Sequence, residues 1–186
     1  METSMIVAIV AVAVLAALGV AWVIVRDKRT KDLIRQFGNE YFRELEKSGS
    51  RTRAEAELVS RTKRLERFEI RPLSAADHDR FAESWRSTQA TFVDRPASAV
   101  SDAEKLVVEV MRARGYPVGD FDQQAADLSV DHSRFVENYR EAHALALARE
   151  RGEAGTENLR QAMVLYRALF EDLLEARRPE FELSRR

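Results

Sequence analysis

The sequence predicts an all-α protein with an N-terminal transmembrane helix, a helical stalk and a small bundle of four to five helices. Three observations lead there. An uncharged apolar run, MIVAIVAVAVLAALGVAWVIV, occupies residues 5–25. Beyond it, apolar residues recur at steps of three and four rather than in alternation. The seven glycines and four prolines of the 186-residue chain fall mostly between these periodic segments instead of inside them.

About 20 apolar residues at ~1.5 Å each match the ~30 Å hydrocarbon layer of a bilayer, so residues 5–25 are expected to span it. A secretory signal peptide requires a basic stretch before a shorter apolar core, and METS supplies none. The chain has no cysteine, which excludes a lipid-modified cysteine anchor and any disulfide framework. In the following RDKRTK, the bases Arg26, Lys28, Arg29 and Lys31 outnumber Asp27. The positive-inside bias places that flank in the cytoplasm, against anionic inner-leaflet lipids. Trp22 suits an interfacial anchor. Ala13, Ala17 and Ala21 form a small-residue stripe through which two spans could pair as a homodimer. The expected location is therefore the cytoplasmic membrane, single-pass, with the C-terminal domain in the cytoplasm. The alternative is an extracytoplasmic domain, if the anchor inserts the other way or is cleaved.

The expected organisation is a short tail at 1–4, the span at 5–25, a basic juxtamembrane stalk at 26–70, a helical bundle at 71–176 and a flexible tail at 177–186. Charge follows the same division. The formal net charge is −1, yet residues 26–67 carry 13 bases against 8 acids, and residues 68–186 carry 17 against 22. Nucleic-acid binding calls for a denser basic face with stacking aromatics, and no such partner is expected.

Within the stalk, Ile34, Phe37, Tyr41 and Leu45 share a helical stripe that Gly38 bends, with Asn39 able to cap the next helix. Thr52 and Glu55 have capping-box spacing, which predicts a helix to about Phe68. Ser74 is expected to cap a helix to about Val93 whose inward stripe is Phe81, Trp85, Thr88 and Phe92. Pro96 opens the next segment. Ser101 and Glu104 repeat the capping-box spacing before Leu106, Val107, Val110 and Met111, and Gly115 with Pro117 ends that helix. A short helix is expected over residues 122–129. A longer one starts at Asp131 and carries Phe135, Val136, Tyr139, Ala142 and Ala146, and Gly152 and Gly155 stop it. Thr156 then caps a last helix with Leu159, Met163, Tyr166, Phe170 and Leu173 or Leu174 inward. Pro179 and the residues after it read as a frayed end.

The stretch GYPVGDFDQQAADLSVDH at residues 115–132 crowds four aspartates and a histidine together. A calcium loop starting at Asp120 would need glycine at its sixth position and glutamate at its twelfth, where this chain has Ala125 and Asp131. Asp122 and Asp131 read instead as helix caps. The histidines, His78, His132 and His143, lack metal-ligand spacing, and only their clustering in space would make a site. There is no cysteine nucleophile, no exposed-serine turn and no glycine-rich phosphate loop. No catalytic, metal or cofactor-binding residue is therefore assigned. Tyr116, Pro117, Asp120 and Asp122 form the candidate interaction surface, since a joint between helices can frame a partner.

The blocks FGNEY, WRSTQATFVDRPASAVSDAEKLVVEVMRARGYP, AADLSVDHSRFVENYREAH and TENLRQAMVLYRALFEDLL together resemble a group of bacterial membrane or secreted proteins over residues 36–174. The resemblance implies one N-terminal hydrophobic segment and a helical remainder. It implies no reaction, cofactor or catalytic residue, and histidine in many members at the position of Leu165 argues against a shared histidine metal site.

The expected function is a membrane-anchored helical interaction or scaffold module that recruits a protein partner. The alternative is a ligand- or metal-binding helical domain, or an enzyme, with a pocket among Trp85, Tyr116, His132, Tyr139, His143 and Tyr166.

Overall fold

A computed structural model describes residues 2–153 and 155–175, the side chains of residues 2–14 and of Glu150 excepted. Among the described residues there are eight helices and no strand: α1 (Glu2–Phe37), α2 (Asn39–Ser48), α3 (Arg51–Leu65), α4 (Ala75–Asp94), α5 (Pro96–Arg114), α6 (Phe121–Asp131), α7 (Val136–Glu150) and α8 (Thr156–Glu175). The all-α expectation holds.

The start signals explain most boundaries. Gly38, at φ +53°, breaks the path between α1 and α2 and itself takes the cap position expected for Asn39. Gly49 closes α2 in a left-handed turn, and α3 begins directly after Ser50. Thr52 therefore lies inside the first turn instead of capping it, and Glu55 is free to turn inward. The Ser74 hydroxyl caps α4 by accepting the Asp77 N–H at 3.1 Å. Pro96 starts α5, which then runs unbroken past Ser101 and Glu104, because a helix already under way has no free N–H groups for that second capping box to satisfy. Asp120, two residues ahead of the expected Asp122, caps α6 by accepting the Gln123 N–H at 2.9 Å. A turn over residues 132–135 separates α6 from α7, so Asp131 ends one helix instead of opening the next.

Gly115 fixes how the chain after α3 meets the end of α5. Its φ is +92°, and a Cβ there would lie 2.4 Å from the Glu69 carbonyl oxygen. The Arg71 N–H donates to the Arg114 carbonyl at 2.9 Å beside it. Only glycine satisfies both the left-handed turn and the close approach.

Helices α5, α7 and α8 pack around Val107, Val110, Met111, Tyr139, Tyr166, Leu169 and Phe170, all buried. Along α5 lies α4, whose Phe81 and Trp85 are its buried stripe; the Trp85 ring stacks on Phe170 at 4.7 Å. Thr88 and Phe92 are only half-buried. Leu33 and Phe37 of α1, Tyr41 of α2, and Leu58 and Leu65 of α3 belong to the same apolar core as the later helices. The link runs through α6, which packs on both α1 and α3.

The expected transmembrane helix at residues 5–25 requires correction, and with it the single-pass membrane assignment. Among the described residues, no helix is long and apolar enough to cross a membrane. No boundary follows Val25: α1 continues through the charged residues to Phe37, and Thr30, Leu33 and Phe37 bury its end in the body. The side chains of residues 5–14, including Ala13 of the small-residue stripe, lie outside the described residues. So do Met1, Pro179 and the tail at 177–186.

Candidate functional site

Polar side chains gather in three internal clusters, and the part-exposed Phe121 ring lines two surface grooves. The first cluster ties α1 to α2 and α3. Glu55 accepts hydrogen bonds from the Thr30 hydroxyl at 2.6 Å, the Tyr41 hydroxyl at 3.3 Å and Arg51 Nε at 2.9 Å. Burial pushes the Glu55 carboxyl up, but Thr30, Arg51 and Tyr41 together hold it below the ordinary glutamate value.

The second cluster joins α2, α3, α6 and α7 around Arg61, whose side chain is 6% exposed. Its guanidinium donates to Glu40 at 2.9 Å, to Glu44, to Glu57 at 3.1 Å and to Ser129 Oγ at 3.5 Å. Arg140 reaches the same Glu40 oxygen at 2.6 Å. Next to it, fully buried Asp127 accepts from Arg64 at 3.1 Å and Gln123 at 3.0 Å. Burial raises the Asp127 carboxyl despite Arg64, Gln123 and Arg61. The spacing of Glu40 with Glu44, and of Glu57 with Arg61, puts each pair on one helical face, which is the signal in the sequence for this cluster.

The third cluster lies where α6 ends against α5 and α8. Tyr116 Oη sits 2.9 Å from Asp131 Oδ2 and 3.0 Å from His132 Nε2. His132 Nδ1 bonds the Asp172 carboxylate, and Arg114 Nη1 approaches Nε2 at 3.4 Å. Arg114 also donates to the carbonyls of Leu173 at 3.2 Å and Arg71 at 3.3 Å. Burial, followed by the charge of Asp131, pushes the Tyr116 phenol well above the ordinary tyrosine value. Such a phenol is a poor acid and a poor nucleophile. With Tyr116 and His132 at 3% and 6% exposure, this constellation faces inward.

An aromatic ridge is built on Phe121 at the start of α6. The Phe121 ring stacks on His143 at 3.7 Å and lies 4.8 Å from the Tyr139 ring, which meets Tyr166 edge-on at 6.2 Å. His143 Nδ1 is 2.6 Å from Glu104 Oε1, and the Tyr139 hydroxyl donates to Gln124 at 2.8 Å. Open grooves run along both sides. One, of about 520 Å³, is lined by Arg43, Asp120, Asp122, Arg140, His143 and Leu147 with Phe121 between them. The other, of about 310 Å³, is lined by Glu104, Lys105, Val108, Glu109 and Arg112 of α5 and again by Phe121.

These placements sort the residues singled out from sequence. Asp120 and Asp122 stand at the ridge; Tyr116 is buried in the third cluster and Pro117 is half-buried. Among the described residues, the six aromatic and histidine residues of the alternative pocket divide among three sets of contacts. Trp85 is on Phe170, Tyr116 and His132 are in the third cluster, and Tyr139, His143 and Tyr166 support the ridge. Each histidine has its own carboxylate: Asp79 for His78, Asp172 for His132 and Glu104 for His143. Among the described residues no group of three or more His, Asp or Glu side chains is arranged to hold a metal ion. Trp22 is exposed with the Arg26 guanidinium 5.1 Å over its ring, Lys31 pairs with Asp27 at 2.7 Å, and Lys28 and Arg29 are exposed. Ala17 and Ala21 are exposed on α1. Sequence reasoning missed Arg114, Phe121, Glu104 and Asp172; partners 39 or 40 residues apart, as in Glu104 with His143 and His132 with Asp172, leave no local spacing to read.

Fold and site together define an all-helical protein with internally paired polar clusters and an aromatic ridge between two open grooves. No protein-family model, curated protein or solved structure matches the chain.

Proposed function

We propose that the chain is a helical interaction module that holds a protein partner along the Phe121 ridge. The observation that carries this reading is the pair of open grooves meeting at one half-exposed aromatic ring, Phe121, while Tyr116 and His132 face inward and bond one another. A groove between helices with an apolar floor is the shape that accepts an amphipathic helix. Charges of both signs line each rim, Arg43 with Asp120 and Asp122 on one side, Lys105 and Arg112 with Glu104 and Glu109 on the other. A mixed rim complements a protein surface better than a polyanion, which would require one sign of charge.

The test is affinity capture with the full chain as bait, followed by the same capture with Phe121→Ser and Leu147→Glu, each checked for unchanged helicity. The expected result is a stoichiometric protein retained by the wild type and by a Val93→Glu control, and weakened at least tenfold by both ridge variants. A stoichiometric protein retained equally by all four chains, or none at all, contradicts the reading.

A further inference from the structure

We propose that the exposed segment of α1 from Leu15 to Arg29 is a lipid-contact surface, with Trp22 and the apolar side chains around it among acyl chains and with Arg26, Lys28 and Arg29 at the phosphates of an anionic bilayer. Such contact needs no crossing of the bilayer, and it is independent of a protein partner at Phe121.

Polarity on α1 changes along the helix axis and not around it. From Leu15 to Val25 no side chain is charged, and every side chain from Leu15 to Arg29 is exposed. Leu15, Leu18, Val20, Trp22 and Ile24 are between 61% and 68% exposed. At about 100° per residue, Leu18 and Val20 point about 160° apart, and Leu15 and Ile24 fill other sectors, so apolar surface runs right round the helix. A groove or one partner helix is served by an apolar stripe of about 100°. A second copy laid alongside would leave the far side in water, whereas acyl chains meet every side at once.

The charges favour the same occupant. Lys31 is paired with Asp27 at 2.7 Å, while Arg26, Lys28 and Arg29 make no ion pair among the described residues. These three bases form a collar directly after the apolar segment. The Arg26 guanidinium lies 5.1 Å over the Trp22 ring, which sets a cation and an amphipathic ring together at the apolar boundary, where a bilayer places its headgroups. Phosphates complement that collar, and the identical collar of a parallel second copy would repel it. From Thr30 onward α1 is fixed to the body, with the Thr30 hydroxyl donating to Glu55 at 2.6 Å and Leu33 and Phe37 buried. The segment therefore projects from a firm base.

The experiment mixes the full chain with vesicles of phosphatidylcholine, with or without phosphatidylglycerol, and reads binding by flotation and by tryptophan fluorescence. Trp85 is 5% exposed and stacked on Phe170, so a blue shift on adding lipid reports Trp22. The expected result is flotation and a blue shift with the anionic vesicles. Replacing Arg26, Lys28 and Arg29 together by serine should weaken that binding on the order of 100-fold, at roughly fivefold per base. Leu18→Asp and Val20→Asp should each weaken it roughly tenfold or more, because lipid touches both sides. A chain that stays in the lipid-free fractions overturns the proposal, as does a triple variant that binds anionic vesicles like the wild type. Loss from only one of Leu18→Asp and Val20→Asp, or self-association with the vesicles left unbound, assigns the surface to a protein and overturns it too. All the substituted side chains are exposed, and circular dichroism checks that each variant folds. Should one fail to fold, flotation and the fluorescence shift of the wild type decide.

Discussion

Arg61 shows how much the interior depends on single side chains. Its guanidinium separates Glu40 from Glu44, which are 1% and 6% exposed, so removing it leaves two carboxylates buried without their main counter-charge. Breaking a buried pair from one side costs ~3–5 kcal/mol. Urea unfolding of Arg61→Ala should show a loss of that size, and adding Glu40→Gln with Glu44→Gln should restore part of it. A loss below ~1 kcal/mol would mean that water screens the cluster. At this scale the sequence is only partly legible. The carboxylate of Glu55 reads as a capping group because Thr52 stands three positions earlier, yet Thr30, 25 positions away, is what it bonds. Turn formers around Tyr116 suggest a surface position, and burial behind Arg114 and His132 is a tertiary fact that local composition does not encode.

Helix identities are far more legible, because apolar steps of three and four and the glycine stops are local. Ser74, Pro96, Gly115 and Thr156 each mark a true boundary region. The misplaced starts at Thr52, Asp122 and Asp131 have one cause: several residues near each start can cap, and the neighbouring turn decides among them. The long α1 invites a false boundary at Val25, where composition changes sharply and the helix does not. Docking of that helix depends on the Glu55 cluster, which makes it sensitive to acid. A carboxyl held below its ordinary value contributes stability above the unfolded value near ~4.3, and the contribution disappears as pH falls through the folded value. Backbone amides of Thr30 to Phe37 should therefore lose exchange protection on acidification below about pH 4.3, before those of α8 do, and Glu55→Gln should remove the difference. Simultaneous loss in both helices would contradict this role for Glu55.

Across the described residues, early and late helices share one apolar core: Leu33, Phe37 and Leu58 early, Phe170 and Leu173 late. A stalk separate from a bundle is a natural expectation from the polar composition of residues 51–65, since a helix with a thin apolar stripe looks poorly buried. The structure supplies the missing partners in α2 and α6, with Ala54, Leu58 and Leu65 providing contact and Arg61 and Arg64 reaching carboxylates on the facing helices. The ridge at Phe121 is positioned by this shared core, because α6 is held by α3 through Asp127 on one side and by α8 through His132 on the other. The most direct measurement is native-state hydrogen exchange of the full chain at neutral pH with increasing urea. A shared core predicts that the slowest amides of Leu58 to Leu65 and those of Leu159 to Leu173 open with the same free energy and the same urea dependence. Exchange of the α3 amides through a much cheaper opening, with α8 still protected, would contradict it.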